Sequence, residues 1–521
     1  MLNVHRLIYR SPEVAWDAVT THLLAVIRHP LAPTSIRLQA ARTLDDILVI
    51  VPRNISTTGE MQGQIQERVL NVLSQQVAVG NMVDIRRMGL ETLHEILQSS
   101  AHTFVTGWEM IFNMLGSVCK PPSLTFARPS ISESDLSVIS EGATPRRPSF
   151  LLEEKANVAL VRIAFQSLTL VCDTLSSLSP SHLRLCISTL GLFGKQTDTN
   201  IALTAAASLM WSVSDSIQAK RKEAEIEPEY SALWMFLLLE ILGLCTDSRH
   251  EVRVGAIQTL FRSLLLYGAT LSLETWDECI WKVIFPLVDA ITTSLRQDTS
   301  GMGSSTPGAE QLWDDSKTLA LQSLSSVFSD FLTLKIIRLP SFKNVWKTFL
   351  SHVEDSFFFD RRSVSTAALR CLERALDALI IVASNTELAA SVLDAVDKVW
   401  LTCDEMGGRI SKSTGYVTDV HVQTPRSDST ERSAALLPFT QECLLAYVDV
   451  MKKTRDATKA GTLSRDGPDA EGEWPLERLS RLMAILKAVV TYSNSPEYRP
   501  DIDALTPVQV SFLLIFSGGI N

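Results

Sequence analysis

The chain has 521 residues, is 46% hydrophobic and 20% charged, and carries 48 Lys+Arg against 58 Asp+Glu for a net charge of −10. That length exceeds one hydrophobic core of ordinary size and calls for several domains or an elongated array, while the apolar fraction excludes global disorder. The acidic balance excludes a protein built around one broad basic face, so no nucleic-acid partner is expected.

The chain opens on "MLNVHRLIYR", which has two arginines and no apolar run after them, so no signal peptide is expected. Residues 1–119 then read as helical repeats. "SIRLQAARTLDDIL" (35–48) and "DIRRMGLETLHEIL" (84–97) are written on one pattern, and "EVRVGAIQTLFRSLL" (251–265) repeats it. With the first branched residue (Ile36, Ile85, Val252) as position zero, arginine follows at +1 (Arg37, Arg86, Arg253). A small residue sits at +4 (Ala40, Gly89, Ala256), Thr at +7 (Thr43, Thr92, Thr259) and Leu at +8 (Leu44, Leu93, Leu260). Positions 0, +4, +7 and +8 share one helical face, and the small residue lets a second helix approach its middle. Position +1 lies at the edge of that face. There the arginine is expected to rest its stem on apolar neighbours, extend its guanidinium to solvent or a carboxylate, and support packing between repeats.

Residues 120–150 form a Ser/Pro-rich insertion, predicted as a loop, before helical repeats resume over 151–295. Weaker copies of the motif place Leu160, Ala164 and Leu168, then Ile201, Ala205 and Leu209. "ETWDECIWKVIFPLVDAI" (274–291) follows, and its Trp276, Trp281 and Phe285 read as a Trp-rich core between repeats in preference to a binding hot spot. Pro286 should kink that helix or begin a new turn. A Gly/Ser loop is predicted over 296–311, repeats over 312–406 (Ala320 and Leu324; Val364, Ala368 and Leu372), and a polar loop over 407–433. The segment 434–521 reads as helices interrupted by a polar loop at 452–475. Zero positions at 36, 85, 160, 201, 252, 316 and 364 are mostly 41–51 residues apart, which is the period of HEAT and armadillo repeats. An all-α helical-repeat solenoid is therefore expected. The apolar C-terminal run "VQVSFLLIFSGGIN" stops in mid-pattern, which suggests a segment of a longer chain.

The insertions contain Thr144-Pro145, Thr306-Pro307 and Thr424-Pro425, and Arg146-Arg147-Pro148-Ser149 matches a basophilic kinase site. Thr144, Ser149, Thr306 and Thr424 are thus candidate phosphorylation positions, with the plainer alternative that loops are simply rich in Ser, Thr and Pro. Eight scattered cysteines without a C-x-x-C pair read as free buried thiols. His22 and His29 lie seven apart on one helix with no further ligand nearby, so no metal is expected. "Ser-His" at 181–182 reads as a helix start with Ser181 near the cap. P-loop, dinucleotide, nucleophile-elbow and zinc-protease motifs are all missing, and neither enzymatic activity nor a cofactor is expected. The basic clusters Arg146/Arg147, Lys220/Arg221/Lys222, Arg361/Arg362 and Lys452/Lys453/Arg455 are local and could touch anionic lipid.

The stretch 233–291 is similar to the helical region downstream of the exchange domain in large Arf guanine-nucleotide exchange factors. The resemblance rests on Cys245-x-Asp247-x-Arg249, Val252-Arg253, Ala256, Thr259-Leu260-Phe261, Trp276, Trp281 and Phe285. With "VTGWEMIFNMLGSV" (105–118), "LVRIAFQSLTLVC" (160–172) and "NIALTAAASLMWSVSD" (200–215) in order, the chain resembles the Mon-two (monensin-sensitivity) family of Golgi scaffolds, whose members lack the exchange domain. The resemblance implies a cytoplasmic protein, peripheral at the trans-Golgi network and endosomes, acting in endosome-to-Golgi recycling. It implies a Dopey-family partner, an aminophospholipid flippase reached through it, and links to Arf-like GTPases. The matched residues are architectural, so no active site is carried over. The alternatives are a regulator or exchange-factor-like partner of Arf and Arf-like GTPases, and a karyopherin-like cargo adaptor.

Overall fold

The computed structural model of the protein describes residues 12–54, 60–104, 106–119, 148–223, 227–300, 307–359, 361–383, 389–420, 441–463 and 480. Among them there is no strand, and no helix is long and apolar enough to cross a membrane. The chain divides into two compact units, Met1–Glu240 and Ile241–Asn521.

The first unit begins with α1 (Pro12–Arg28), α2 (Thr34–Asn54), α3 (Glu60–Val77) and α4 (Val83–Ser100). It continues with α5 (Trp108–Ser117), α6 (Pro148–Cys172), α7 (Pro180–Gly194), α8 (Thr199–Leu203) and α9 (Met210–Glu223). A π-helical turn, Thr204–Leu209, joins α8 to α9. Helices α2, α4 and α6 pack in succession to form an inner layer, and α1, α3, α5 and α7 cover it in the same order. Each helix has one apolar face that it cannot bury alone, so stacking with the next repeat completes the core.

Helix α10 (Glu227–Leu242) contains the boundary between the units. The second unit holds α11 (His250–Tyr267), α12 (Leu273–Cys279), α13 (Phe285–Ser300), α14 (Pro307–Phe331), α15 (Phe342–Phe357), α16 (Arg362–Ala383), α17 (Ala389–Val420) and α18 (Gln441–Leu463). Its inner layer is α11, α14, α16 and α18, and its outer helices include α13, α15 and α17. Both units therefore have the HEAT/armadillo-like repeat architecture that the period predicts.

The motif positions sit as their spacing requires. Ala40, Ala256, Leu44, Leu93 and Leu260 are buried, as are the weaker-copy residues Leu160, Ala164, Ala205, Ala320, Leu324, Val364 and Ala368. Gly89 is buried too, and a Cβ there would lie 2.9 Å from Val77 Cγ2, so the end of α3 approaches a true gap in α4. The +7 threonines return their hydroxyls to the carbonyl one turn back. Thr43 donates to Gln39 at 3.0 Å, Thr92 to Met88 at 3.1 Å and Thr259 to Gly255 at 2.8 Å. Ile36 departs from the pattern at 53% exposed, whereas Ile85 and Val252 are fully buried. Among the described residues α2 is the first inner helix and has an inner neighbour, α4, on one side alone.

The predicted loops are shorter than composition suggests. Helix α6 starts at Pro148, inside the 120–150 insertion, because proline at the first helical position gives up an N–H that would be unsatisfied anyway. Helices α13 and α14 reach Ser300 and begin at Pro307, which narrows the 296–311 loop. Helix α17 runs to Val420, well into the predicted 407–433 loop, since Met406, Ile410, Val417 and Val420 keep helical spacing. Helix α18 extends to Leu463, into the predicted 452–475 loop. Val450, Met451, Thr454 and Ala457 supply a buried face, while of the charged residues between them Lys452 is exposed and Lys453, Arg455 and Asp456 are half-buried. Ahead of Pro286 the chain widens into a π turn, Ile280–Ile284, with the Phe285 N–H bonded to the Ile280 carbonyl. A wider turn relieves the clash of the proline ring with the carbonyl four residues back.

Gly107, which caps the start of α5, has φ of 87°, and a Cβ there would lie 2.3 Å from Leu70 Cδ1. Gly107→Ala combines left-handed strain with a steric clash and is expected to lower the unfolding free energy by about 1–3 kcal/mol, read by urea denaturation.

Candidate functional site

From the edge of the face the +1 arginines are expected to extend to solvent or a carboxylate, but Arg86 and Arg253 are buried and Arg37 is half-buried. They reach the backbone of the segment before them. Arg37 Nε donates to the Ile27 carbonyl at 2.7 Å, in the last turn of α1, and Arg86 Nε donates to the Val77 carbonyl at 2.9 Å, the last residue of α3. Final-turn carbonyls lack intrahelical partners and carry the negative end of the helix dipole, so a cation there satisfies both. Burial lowers the Arg86 pKa, in keeping with a guanidinium held away from water.

Arg253 is the most elaborate case and is 1% exposed. Its Nη1 donates to the Asp247 carbonyl at 2.7 Å and the Ser248 carbonyl at 3.3 Å, in the turn preceding α11. Its Nε donates to Ser316 Oγ at 2.8 Å, its Nη2 to the Leu312 carbonyl at 3.1 Å, and its plane lies 3.7 Å from the Trp313 ring. One side chain thus closes its own turn and pins the first turns of α14. The family signature around it builds the same turn. Arg249 Nε and Nη2 grip Asp247 Oδ1 and Oδ2, both at 2.8 Å, and the Arg249 N–H donates to Oδ1 at 2.9 Å. These bonds, led by the Arg249 side chain, hold the Asp247 pKa below its ordinary value. Cys245 Sγ donates to the Ile241 carbonyl at 3.3 Å.

The same contact recurs where the sequence has no arginine. Lys317 stands at +1 in the copy beginning at Ser316, and its Nζ donates to the Val288 carbonyl at 3.2 Å and Thr292 Oγ1 at 2.5 Å on α13. Ser365 stands at +1 in the copy beginning at Val364, and its hydroxyl donates at 2.8 Å to the carbonyl of Phe357, the last residue of α15. Neither role is legible without the structure, although the shared register with Arg253 is the signal that would find them. Burial lowers the Lys317 pKa to about 8. Beside it His352 stacks on Phe285 at 5.1 Å, with its Nδ1 3.6 Å from Asp289, and burial lowers its pKa as well.

Trp276 is fully buried, donates Nε1 to the Gly268 carbonyl at 2.8 Å, and meets Phe331 at 4.8 Å between ring centroids. A Cβ on Gly268 would come within 2.6 Å of Trp276 Cζ2, so the indole needs that glycine. Phe285 is also buried. Trp281 departs from the core expectation at 37% exposed, with its ring edge-on to Phe285 at 5.4 Å.

Thr144, Thr306 and Thr424 lie outside the described residues, and Ser149 falls in the first turn of α6 instead of a loop. The cap of α7 is Ser179, which accepts from the His182 N–H at 3.3 Å, while Ser181 bonds the cap hydroxyl at 2.8 Å. All eight cysteines are free and all but the half-buried Cys119 are buried. Members of three basic clusters turn inward: Lys220 Nζ donates to the Leu178 carbonyl, Arg361 lies 3.9 Å from Asp314, and Lys453 bridges Glu373 at 2.9 Å and Asp377 at 2.7 Å.

One concavity in the second unit remains open. A groove of about 620 Å³ lies over the inner-layer helices, lined among others by Leu265 of α11, Gln322 and Ser325 of α14, and Arg370 and Arg374 of α16. A ladder of ion pairs to α18 borders it. Arg370 contacts Glu373 at 2.6 Å and Asp449 at 3.2 Å, and Lys453 completes it through Glu373 and Asp377. Burial alone would raise the Glu373 pKa, but the bonds from Arg370 and Lys453 outweigh it and hold the carboxyl below its ordinary value.

The clamped turns, stacked layers and open groove define an all-α helical-repeat protein. Residues 222–413 match the family model described as the C-terminal region of Mon2 protein, and residues 57–133 match the one described as Mon2/Sec7/BIG1-like HDS. The chain is 28% identical over 393 residues to the protein MON2 homolog of Drosophila melanogaster, covering 69% of this chain and 21% of that protein. It is 27% identical over 415 residues to the human protein MON2 homolog, covering 72% and 22%. It is 21% identical over 353 residues to the ARF guanine-nucleotide exchange factor GNL1 of Arabidopsis thaliana, covering 65% and 21%. The chain is therefore related to the Mon2 proteins and, more distantly, to the large Arf exchange factors. It spans about a fifth of the length of these relatives.

Arg253→Ala leaves four acceptors and an indole face without their partner, and is expected to lower unfolding free energy by about 3–5 kcal/mol in urea titrations. Arg253→Lys should recover less than half of that, because a single ammonium cannot serve acceptors on two elements as a planar fork does.

Lys317 has a folded pKa below its unfolded one, so its charge disfavours folding. The penalty is complete below about pH 8. Between there and the ordinary lysine value of 10.5 the unfolded state holds the extra proton, and stability rises with pH. Lys317→Met should raise stability at pH 7 by about 1–3 kcal/mol and remove that rise relative to the parent. The Val288 carbonyl keeps the bond from Thr292 Oγ1 at 2.6 Å.

Proposed function

We propose that this chain is part of a non-enzymatic scaffold of trans-Golgi and endosomal membrane trafficking, acting peripherally at the membrane in endosome-to-Golgi recycling. The observation that carries this reading is the match of residues 222–413 to the Mon2 C-terminal region, in which Asp247, Arg249, Arg253 and Trp276 make internal bonds. With those residues serving the fold, the surface of the stack is what meets partners. A scaffold of this kind raises the local concentration of the proteins it holds. The partner assigned is a Dopey-family protein, with an aminophospholipid flippase held through it and anionic lipid as a further contact.

The match of residues 57–133 to the Mon2/Sec7/BIG1-like model and the similarity to GNL1 favour a second reading, a regulator of Arf or Arf-like GTPases. Two measurements separate them. Size-exclusion chromatography with light scattering should show the purified chain co-eluting with the Dopey-family protein at a defined ratio, and separate elution would remove that contact from these residues. In a fluorescent-nucleotide exchange assay micromolar chain should leave Arf and Arf-like GTPases at their intrinsic rate, and clear acceleration would put the second reading first.

A further inference from the structure

We propose that the groove over α14 and α16 binds an extended, acidic peptide segment of a partner protein. This deepens the scaffold reading and rests on it. At about 620 Å³ the groove is within the size range of sites that enclose a ligand of several residues.

Two of its side chains are unsatisfied by the protein itself. Ser325 lines the groove, is 2% exposed, and its hydroxyl has no hydrogen-bond partner. Neighbouring helical serines behave otherwise. Ser326 donates to the Gln322 carbonyl at 3.2 Å and Ser316 to the Leu312 carbonyl at 2.9 Å. An orphaned buried hydroxyl costs about 1–3 kcal/mol, which an acceptor or donor from a bound chain would relieve. Arg374 is the second. It is exposed at the groove, and no hydrogen bond or ion pair engages it among the described residues. The carboxylates beside it are each engaged by another cation, Glu373 by Arg370 and Lys453, and Asp377 by Lys453. A carboxylate in the groove would therefore meet a guanidinium fork that no carboxylate of the fold engages.

The polar lining selects the conformation of the ligand. A docked helix would bring apolar side chains and a backbone already hydrogen-bonded to itself. An extended segment brings free N–H and C=O groups, and Gln322, Ser323 and Ser325 offer both donors and acceptors to them.

The test titrates the full chain into a fluorescein-labelled alternating Glu-Gly decapeptide and follows anisotropy, with alternating Lys-Gly and Ser-Gly peptides alongside. Saturable binding of the Glu-Gly peptide alone is expected. Arg374→Glu should weaken it by about tenfold or more. Ser325→Ala should weaken it severalfold while leaving the melting temperature unchanged or higher, which a purely structural serine would not do. Lys347→Glu, an exposed cation on the outer helix α15, should leave affinity unchanged. Absence of saturable binding, equal binding of the Lys-Gly peptide, or indifference to both groove substitutions would overturn the proposal. Peptide binding without Dopey co-elution would sink the partner assignment and leave the groove standing. Dopey co-elution with no peptide binding would do the reverse.

Discussion

The structure depends on a side-chain donor, one residue into four of the inner-layer motifs, that reaches a backbone carbonyl closing the segment before it. A helical repeat places a helix end at every turn, and each end leaves carbonyls without partners in a region that the next repeat covers. Water cannot serve them there, so a side chain must. Arg37, Arg86, Arg253 and Ser365 do this at four turns, and the identity of the donor follows the reach required. Ser365 suffices beside the tight turn after α15, whereas Lys317 crosses to the middle of α13. Arg253 serves two elements at once, and only the guanidinium fork has enough donors for that.

That constraint explains why sequence signal concentrates where it does. Cys245, Asp247, Arg249 and Arg253 look like a binding motif because polar residues recur at fixed offsets in an apolar helix pair. Each is instead satisfied within a few residues of itself or by the start of α14. Ser316 makes the same point from the other side. It occupies a position that other copies give to Ile, Val or Leu, because its hydroxyl accepts from Arg253.

What the sequence makes legible is periodic. The inner-layer faces, the close approach at Gly89 and the period of the stack all follow from apolar residues returning at helical spacing. The destination of the arginines is not legible, since a carbonyl acceptor has no residue type and leaves no trace in composition. Helix ends in polar segments are hidden for a related reason. Composition weighs Lys452, Lys453 and Arg455 as loop-like, while Thr454 and Ala457 between them are buried. The groove is legible only in part. Ser323, Ser325 and Ser326 read as a polar interruption in α14, and nothing in the sequence says that one hydroxyl is left without a partner while its neighbour is satisfied.

The contrast between clamps and groove separates architecture from interaction on physical grounds. Where a polar side chain enters the stack to hold it together, its bonds are short and its acceptors belong to the backbone, as at Arg253. On the inner face of the second unit, ion pairs join α16 to α18 through Arg370, Glu373, Asp377, Asp449 and Lys453. Arg374 and Ser325 lie beside that ladder and outside it. One is a charge with no counter-charge and the other a buried hydroxyl with no acceptor. Other buried hydroxyls, those of Ser263 and Ser356, are also left without a partner, but only Ser325 lies at the groove beside Arg374. The proposed peptide would engage both groups in one contact.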